Sequence, residues 1–276
     1  MRLLTTIAEV RAARAGFGEL GLVPTMGFLH HGHLSLVRRA RDECGAAAVS
    51  IFVNPTQFGV GEDLANYPRD LDRDLASLER IGADLVFTPA NAEIYPQGFA
   101  TRIDVGAVAL GLEGAARPGH FAGVATVVAK LLNIVQPTRA YFGQKDAQQA
   151  VVIQALARDL DFPCQIVIGE TVREADGVAM SSRNAYLAPH ERACAGVLFR
   201  ALTAAQDRFR GGETDAQALR QTMLDILSAE PPASVDYVSV ADPRTLKELA
   251  IAAKGALISL AVRIGPARLI DNLRLE

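Results

Sequence analysis

Residues 20–44 read LGLVPTMGFLHHGHLSLVRRARDEC, and this stretch indicates the fold class because a strand, a turn and a helix follow one another directly. The apolar run at residues 20–23 predicts a β-strand, and the apolar spacing of residues 34–44 predicts a helix. Between them lies a turn with two glycines and three of the chain's five histidines. Because open α/β sheets bind ligands at the carboxyl ends of their strands, this turn is a candidate binding site.

The same alternation of strand and helix continues through the first two thirds of the chain. Further strands are predicted at residues 48–53, 84–87, 140–142 and 165–168. Helices are predicted at residues 124–135 and 147–160, and Leu71, Leu75, Leu78 and Ile81 mark one face of another. Strands that alternate with helices predict an α/β fold with a doubly wound parallel sheet.

The pattern changes after residue 172. Two helices are predicted in succession at residues 189–210 and 215–229, followed by strands at 235–240, 256–262 and 268–273. Helices grouped apart from strands indicate a second, α+β domain, whose boundary can lie anywhere between residues 168 and 183.

Composition restricts the kind of partner. The chain has 276 residues, 50% of them hydrophobic, and its 28 basic and 31 acidic residues give a net charge of −3. This balance provides no broad basic surface for nucleic acid and favours a small-molecule partner. Cys44, Cys164 and Cys194 are odd in number and lack paired spacing, which suits a reducing compartment. With no secretory leader or membrane-spanning pattern, the sequence predicts a cytoplasmic protein without membrane contact.

Two familiar nucleotide-binding motifs do not apply. Gly16, Gly18 and Gly21 match G-x-G-x-x-G, but they precede the predicted strand, whereas the dinucleotide fingerprint follows a strand and opens a helix. The Gly-Lys-Ser/Thr of a Walker loop is missing from the sequence. Any nucleotide is therefore held in another way.

The histidine turn has the chemistry of a phosphate site. Gly27 and Gly32 allow close approach of the backbone, and the start of the following helix offers N–H groups and a positive dipole end. Imidazoles at His30 and His33 can donate hydrogen bonds to phosphate oxygens and stabilise charge on a leaving group. A zinc site and a purely structural turn are the alternatives, although no nearby cysteine or carboxylate completes a zinc ligand set.

Two further polar clusters directly follow predicted strands. Asn54 and Gln57 can bind a polar substrate through their amides, or residues 54–59 can form a simple Asn-Pro turn. Lys145 provides a point charge for a phosphate, and Asp146 either caps the next helix or binds a ribose hydroxyl.

Three weaker patterns complete the candidate set. The Met-Ser-Ser-Arg segment at residues 180–183 can form a mobile clamp on a triphosphate or cap a helix. Arg117 and His120 can reach an anionic substrate. The aspartates at 70, 72 and 74 are interpreted as a solvated helix face, with Mg²⁺ binding as the alternative.

In combination these motifs resemble the pantothenate synthetase (pantoate–β-alanine ligase) family. The resemblance rests on Pro24-Thr25-Met26-Gly27 with the His-x-Gly-His motif at residues 30–33, and on the segments at 54–59, 143–146 and 180–183. It implies a nucleotidyltransferase of the His-x-Gly-His superfamily. A Rossmann-like domain over residues 1–172 is expected to bind ATP and pantoate, and a smaller α+β lid domain is expected over residues 173–276.

The resemblance implies a two-step ligase reaction. ATP adenylates the carboxylate of (R)-pantoate with release of pyrophosphate, and the amine of β-alanine then attacks pantoyl adenylate to give pantothenate and AMP. It also implies Mg²⁺ accompanying the substrate ATP, no tightly bound organic cofactor, and a homodimer.

Roles for individual residues follow from the same resemblance. His33 matches the family's proton donor, and His30, Lys145 and Arg183 are the other catalytic residues. The residues expected to bind ATP are Met26, Gly27, Phe28, Leu29, His30, His31, Gly32, His33, Gly143, Gln144, Lys145, Asp146, Val172, Met180, Ser181, Ser182 and Arg183. Those expected to bind pantoate or β-alanine are Gln57, Gln149, Asn54, Arg117 and His120, and the expected Mg²⁺ ligand is Asp74.

One position departs from the family pattern. The family usually has glutamate where Gln144 stands, so a negative charge beside Lys145 is absent. Two rival functions are nucleotidyl transfer to a phosphorylated acceptor and a non-catalytic nucleotide-binding or RNA-binding role. The retained histidines and lysine and the balanced charge argue against the second rival.

Overall fold

The structure, a computed structural model, describes residues 1–59 and 61–276. The strands are β1 (Arg2–Leu4), β2 (Gly21–Thr25), β3 (Ala47–Ile51), β4 (Leu85–Phe87), β5 (Arg139–Gly143), β6 (Gln165–Gly169), β7 (Ala233–Ala241), β8 (Leu257–Ile264) and β9 (Ala267–Arg274). The helices are α1 (Ile7–Arg14), α2 (His31–Cys44), α3 (Leu71–Ile81), α4 (Asn91–Ile94), α5 (Glu113–Ala116), α6 (His120–Val135), α7 (Ala147–Asp159), α8 (Pro189–Cys194), α9 (Val197–Arg210) and α10 (Ala216–Ser228). Short 3₁₀ turns are found at Pro55–Gln57, Gly106–Ala109, Gln144–Asp146 and Ser182–Tyr186.

Strands β1 to β6 form one parallel sheet in the order β1-β4-β3-β2-β5-β6, which confirms the predicted doubly wound α/β fold. Strand β2 lies near the middle, between β3 and β5. The strand order reverses there, and ligands of open α/β sheets bind outside the carboxyl ends of the strands at such a switch point. The sheet therefore places the histidine turn, which follows β2, at the expected binding position.

Side chains of the central strands alternate between two apolar layers. On one face, Leu22 and Leu85 belong to the same buried cluster as the apolar side of α6. On the other face, Val23 and Val86 pack in a cluster with Val37 of α2 and other residues of α2 and α3. Because both faces of the sheet are covered, its strands are apolar on both sides, as in other parallel sheets.

The chain divides into two units. The first comprises Met1–Gly143 and Val152–Glu170, and the second comprises Gln144–Val151 and Thr171–Glu276. In the second unit, β7, β8 and β9 form an antiparallel sheet in that order. Its core combines α9 and α10 with β8, and Leu202, Leu219 and Ile258 are fully buried in it. The predicted α+β character of the C-terminal region is confirmed.

Local differences from the predicted elements have simple causes. Strand β1 was not predicted, because three residues are too few for a periodic pattern to be recognised. The helix predicted at residues 189–210 is two helices, with the break at Ala195 and Gly196. A glycine inside a helix costs about 1 kcal/mol relative to alanine, which favours a break there. Among the described residues, no helix combines the length and apolar character needed to cross a bilayer.

Candidate active site

The backbone of the histidine turn is strained and is held by a buried carboxylate. Gly27 and Phe28 both have positive φ angles, +86° and +50°. The N–H groups of Phe28 and Leu29 donate to Oδ2 and Oδ1 of Asp74, each at 2.7 Å. The side chain of Asp74 is 1% exposed, so the prediction that it lies on a solvated helix face is wrong. Burial raises the pKa of the Asp74 carboxyl, and its two backbone hydrogen bonds oppose that shift.

The neighbouring residues of α3 also support the turn. Asp70 accepts a hydrogen bond from the N–H of Arg73 and so caps the helix, as the acidic run suggested. The guanidinium of Arg73 lies 4.7 Å from the centre of the Phe28 ring and donates to the carbonyl of Leu29 at 3.2 Å. The first turn of α3 therefore contacts the histidine turn through both a carboxylate and a cation.

His30 and His33 form a reciprocal cap at the start of α2. Nδ1 of His30 accepts from the N–H of Gly32 at 3.2 Å, and Nδ1 of His33 accepts from the N–H of His30 at 3.4 Å. Their ring centres are 4.0 Å apart. In a neutral imidazole whose Nδ1 accepts, the proton is on Nε2, so each ring presents Nε2–H as its donor. His31, by contrast, is exposed in the first turn of α2.

Asn54 is a buried structural link and Gln57 lies beside the histidine turn. The Asn54 side chain is 1% exposed and donates to Oε1 of Gln57 and to the carbonyl of Gly123, both at 3.1 Å. Its own oxygen accepts from the hydroxyl of Tyr95 at 2.8 Å. Nε2 of Gln57 lies 3.1 Å from Sδ of Met26, at the end of β2. The two predicted clusters that follow β2 and β3 are thus brought together.

Arg117 and His120 both point to the loop that carries Gln57. Arg117 forms a bidentate ion pair with Glu62, at 2.5 and 2.9 Å, and its Nη1 lies 3.1 Å from Nε2 of His120. Because a guanidinium can only donate, Nε2 of His120 accepts, and Nδ1–H donates to the carbonyl of Gln57 at 2.8 Å. Burial, with the nearby Arg117 charge, lowers the pKa of His120 to about 4, so the ring is neutral at pH 7.

The turn that contains Lys145 belongs to the second unit. Nζ of Lys145 lies 3.6 Å from Oδ1 of Asp146. The backbone carbonyls of Gln144 and Lys145 both accept from Nδ2 of Asn272 at 2.9 Å, and the Gln144 side chain donates to Oδ1 of Asn272 at 2.9 Å. Gln149 is half-buried in the first turn of α7.

The segment at residues 180–183 follows a short antiparallel pairing in the same unit. The N–H of Met180 donates to the carbonyl of Val172 at 2.9 Å, and Arg173 pairs with Ala179. Ser181 caps the 3₁₀ turn Ser182–Tyr186 by accepting from the N–H of Arg183 at 3.2 Å. The capping alternative for this segment is therefore present in the structure.

Several partners in these networks were not predicted. Glu62, Tyr95, Asp271 and Asn272 lie in no recognised motif, and each is far along the chain from the residue that it holds. No local pattern identifies such partners. The described residues contain no group of three or more His, Cys, Asp or Glu side chains able to hold a metal ion.

The parallel sheet and the polar turn at its carboxyl edge define a Rossmann-like α/β protein. The chain belongs to the pantoate-β-alanine ligase family, because the profile of that family matches residues 2–274. The predicted resemblance is confirmed, and with it the expectation of a ligase.

Relatives and solved structures agree with this assignment over the whole chain. The pantothenate synthetase of Herpetosiphon aurantiacus is 63% identical over 99% of both chains, and that of Gluconobacter oxydans is 54% identical over 100% of both. A pantothenate synthetase structure from Thermus thermophilus has a TM-score of 0.96 at 50% identity and covers 100% of this chain and 99% of its own. A pantoate-β-alanine ligase from Francisella tularensis, complexed with beta-gamma ATP and β-alanine, has a TM-score of 0.82 at 34% identity, with 99% and 97% covered.

Proposed function

We propose that this protein condenses (R)-pantoate with β-alanine at the expense of ATP, through a pantoyl adenylate, and releases AMP and pyrophosphate. Family membership over residues 2–274 supports the overall reaction. The observation that carries the mechanism is the pair of imidazoles at the start of α2, each protonated on Nε2 by its hydrogen-bond pattern. Such donors beside a helix N-terminus suit the phosphates of ATP.

In the first step a carboxylate oxygen of pantoate bonds to the α-phosphorus of ATP, while the bond from that phosphorus to the pyrophosphate oxygen breaks. His30 and His33 donate hydrogen bonds to the phosphate oxygens, where negative charge increases in the transition state. Lys145 and Arg183 are proposed to neutralise charge on the same ATP. The remaining predicted ATP contacts, in residues 26–33, 143–146, 172 and 180–183, are proposed on the same basis. The protein's contribution is then positioning and charge stabilisation without a covalent nucleophile.

In the second step the amine nitrogen of β-alanine bonds to the acyl carbon of the adenylate. The acyl carbon–oxygen bond to AMP breaks, and the nitrogen loses one proton. Gln57 and Gln149 are proposed to bind pantoate, and Gln57 also β-alanine. Asn54, Arg117 and His120 support this recognition through their contacts with Gln57 and its loop.

Mg²⁺ is proposed to enter as part of the substrate MgATP. Ligation of Mg²⁺ by Asp74 stays a prediction. Both oxygens of this carboxylate already accept backbone N–H groups, so it fits a backbone clamp better than a metal ligand. No step above depends on a metal ion held by the protein. The homodimer, the cytoplasmic location and the lid role of residues 173–276 also stay predictions from the family resemblance and the composition.

The adenylate can be tested with isotope labels. Pantoate labelled with ¹⁸O in its carboxylate should transfer one ¹⁸O to AMP, because the oxygen that attacks phosphorus leaves with it. Pantoate alone should support exchange of labelled pyrophosphate into ATP, and AMP release should require β-alanine. The second ¹⁸O should stay in pantothenate as the amide oxygen. AMP without ¹⁸O would refute the adenylate. Transfer of AMP to a phosphorylated acceptor, without dependence on pantoate, would support the rival nucleotidyltransferase.

A further inference from the structure

Strand β9 carries two adjacent buried polar side chains. Asp271 is 2% exposed and Asn272 is 3% exposed. Burial of a carboxylate and an amide costs free energy unless both are hydrogen-bonded, so the partners of these side chains indicate what they do. The partners of Asn272 lie in a segment of the second unit that is proposed to bind ATP, and Arg173, the partner of Asp271, lies next to Val172, another residue proposed to bind ATP.

Asn272 holds the turn that carries Lys145. Its Nδ2 donates to the carbonyl oxygens of Gln144 and Lys145, and its Oδ1 accepts from Nε2 of Gln144, all at 2.9 Å. Both donors and the oxygen of the amide are therefore used. The opposite orientation of the amide would place its oxygen against two carbonyl oxygens, so these partners fix the direction in which the side chain binds.

Asp271 holds the base of the segment that leads to residues 180–183. Its carboxylate forms a bidentate pair with Arg173, at 2.5 and 2.9 Å, and accepts from the N–H of Asn272 at 2.8 Å. The guanidinium of Arg173 also lies 4.2 Å from the centre of the Phe199 ring and donates to the carbonyl of Gly177 at 3.0 Å. Bidentate pairing and stacking leave this arginine little freedom.

The antiparallel pairing extends this restraint to the segment itself. Arg173 is paired with Ala179, and the neighbouring Val172 carbonyl accepts from the N–H of Met180. Met180 directly precedes Ser181, which caps the turn containing Arg183. Two consecutive residues of one strand thus restrain two segments that are 27 residues or more apart in the sequence, from 144–145 to 172–183.

We propose that Asp271 and Asn272 are positioning residues for the adenylation step. They hold the backbone around Lys145 and the base of the 180–183 segment in a fixed arrangement. Lys145 and residues 180–183 can then contact the phosphates of ATP at the same time. Neither residue is assigned a contact with the substrates. The inference rests on the proposed function, because ATP is the ligand that both segments would share.

Gln144 makes this arrangement specific to the present sequence. A carboxylate at position 144 has no N–H to donate to Oδ1 of Asn272, so the side-chain half of the Gln144–Asn272 pair would be lost. The two backbone bonds from Asn272 would remain. The substitution Gln144→Glu is therefore a mild perturbation that leaves β9 itself unchanged.

The decisive experiment separates the two half-reactions. Asn272→Ala should lower the rate constant for pantoate-dependent pyrophosphate exchange by about 10- to 100-fold, the scale of a misplaced catalytic group. The rate constant for aminolysis of synthetic pantoyl adenylate by β-alanine should change by less than about threefold, because the bond to pyrophosphate is already broken before this half-reaction begins. An equal loss in both half-reactions would indicate only a poorly folded protein and would overturn the inference, as would unchanged exchange.

Ser259→Ala is the matched control. Ser259 lies opposite Asn272 on β8 and is 6% exposed, and its hydroxyl has no hydrogen-bond partner among the described residues. This variant should keep both half-reactions. A loss of exchange equal to that of Asn272→Ala would mean that any change in this part of the sheet slows pyrophosphate exchange, and it would overturn the inference.

Two further variants keep the test decisive if Asn272→Ala does not fold. Gln144→Glu should lower exchange alone, by about three- to tenfold for the loss of one hydrogen bond, and unchanged exchange would count against the pairing. In a Lys145→Ala background, Asn272→Ala should add less than about threefold, since coupled residues are not additive. A full independent loss would refute action through Lys145. An inactive wild type would instead refute the proposed function.

Discussion

Asp74→Asn tests whether the histidine turn depends on a buried carboxylate. The wild-type carboxylate accepts one hydrogen bond on each oxygen, from the N–H groups of Phe28 and Leu29 at 2.7 Å. The asparagine amide keeps one oxygen but must turn its NH₂ group towards the other backbone donor. The backbone N–H on that side then faces the NH₂ group of the asparagine and is left without an acceptor in a buried position.

The expected cost follows from the bonds that are lost. A hydrogen bond to a charged group contributes about 1.5–3 kcal/mol, and here it also offsets the left-handed conformation of Phe28, which costs about 1–2 kcal/mol. We expect the free energy of unfolding to fall by about 1.5–3 kcal/mol. If the turn alone is released, the equilibrium constant that favours its correct conformation falls by about 10- to 150-fold, and adenylation falls by up to that factor.

Urea unfolding and pyrophosphate exchange at a series of Mg²⁺ concentrations measure the two effects. A backbone clamp predicts lower stability and slower exchange, with the same Mg²⁺ concentration at half-maximal rate. Asp72→Asn, in the exposed part of the same helix turn, is the matched control and should match the wild type. Wild-type stability combined with a several-fold higher Mg²⁺ requirement in Asp74→Asn would refute the clamp and support metal ligation.

Three further predictions concern residues of the first unit. His33→Ala should slow single-turnover formation of pantoyl adenylate by about 100-fold, the usual loss for a transition-state donor, and a wild-type rate would remove that role. The pKa of His120 is about 4 when folded and about 6.5 when unfolded, so the unfolded state binds the proton first as the pH falls. The free energy of unfolding should therefore drop by about 3 kcal/mol more between pH 7 and 4 in the wild type than in His120→Gln, and equal pH slopes would contradict this. Gly123→Ala should lower the free energy of unfolding in urea by about 1–3 kcal/mol. The added methyl group would lie 2.8 Å from Cα of Gln57 and closer still to the Thr56 carbonyl oxygen. Wild-type stability would show that the loop moves away at no cost.

Local sequence patterns were reliable where one element determines its own conformation. The strand and helix on either side of the histidine turn were predicted within a few residues, since apolar spacing reports which face is buried. His30 and His33 were singled out by their position after a strand. Their tautomers could not be read from the sequence, because these depend on which backbone N–H each Nδ1 accepts.

Asp74 illustrates where such patterns are misleading. In the sequence it belongs to an acidic helix face like its neighbours, and only the packing of α3 against the turn after β2 buries it. Arg117 and His120 contact Glu62 and the carbonyl of Gln57, and their binding of an anionic substrate stays a prediction. A polar or charged side chain near a candidate site has the same sequence signature whether it binds a ligand or a loop.

By itself the amino-acid sequence determined the fold class and the family and singled out the segments that are proposed to carry the chemistry, because periodicity and short motifs are local properties of the chain. The tertiary structure decided which side chains hold those segments in place: Asp74 for the histidine turn, Tyr95 for Asn54, and Asn272 for the Lys145 turn, 127 residues away. Buried polar groups must be hydrogen-bonded, and the fold decides which group lies close enough to be the partner of each. Hydrogen bonds between distant segments leave no periodic trace in the sequence, and only the folded chain identifies them.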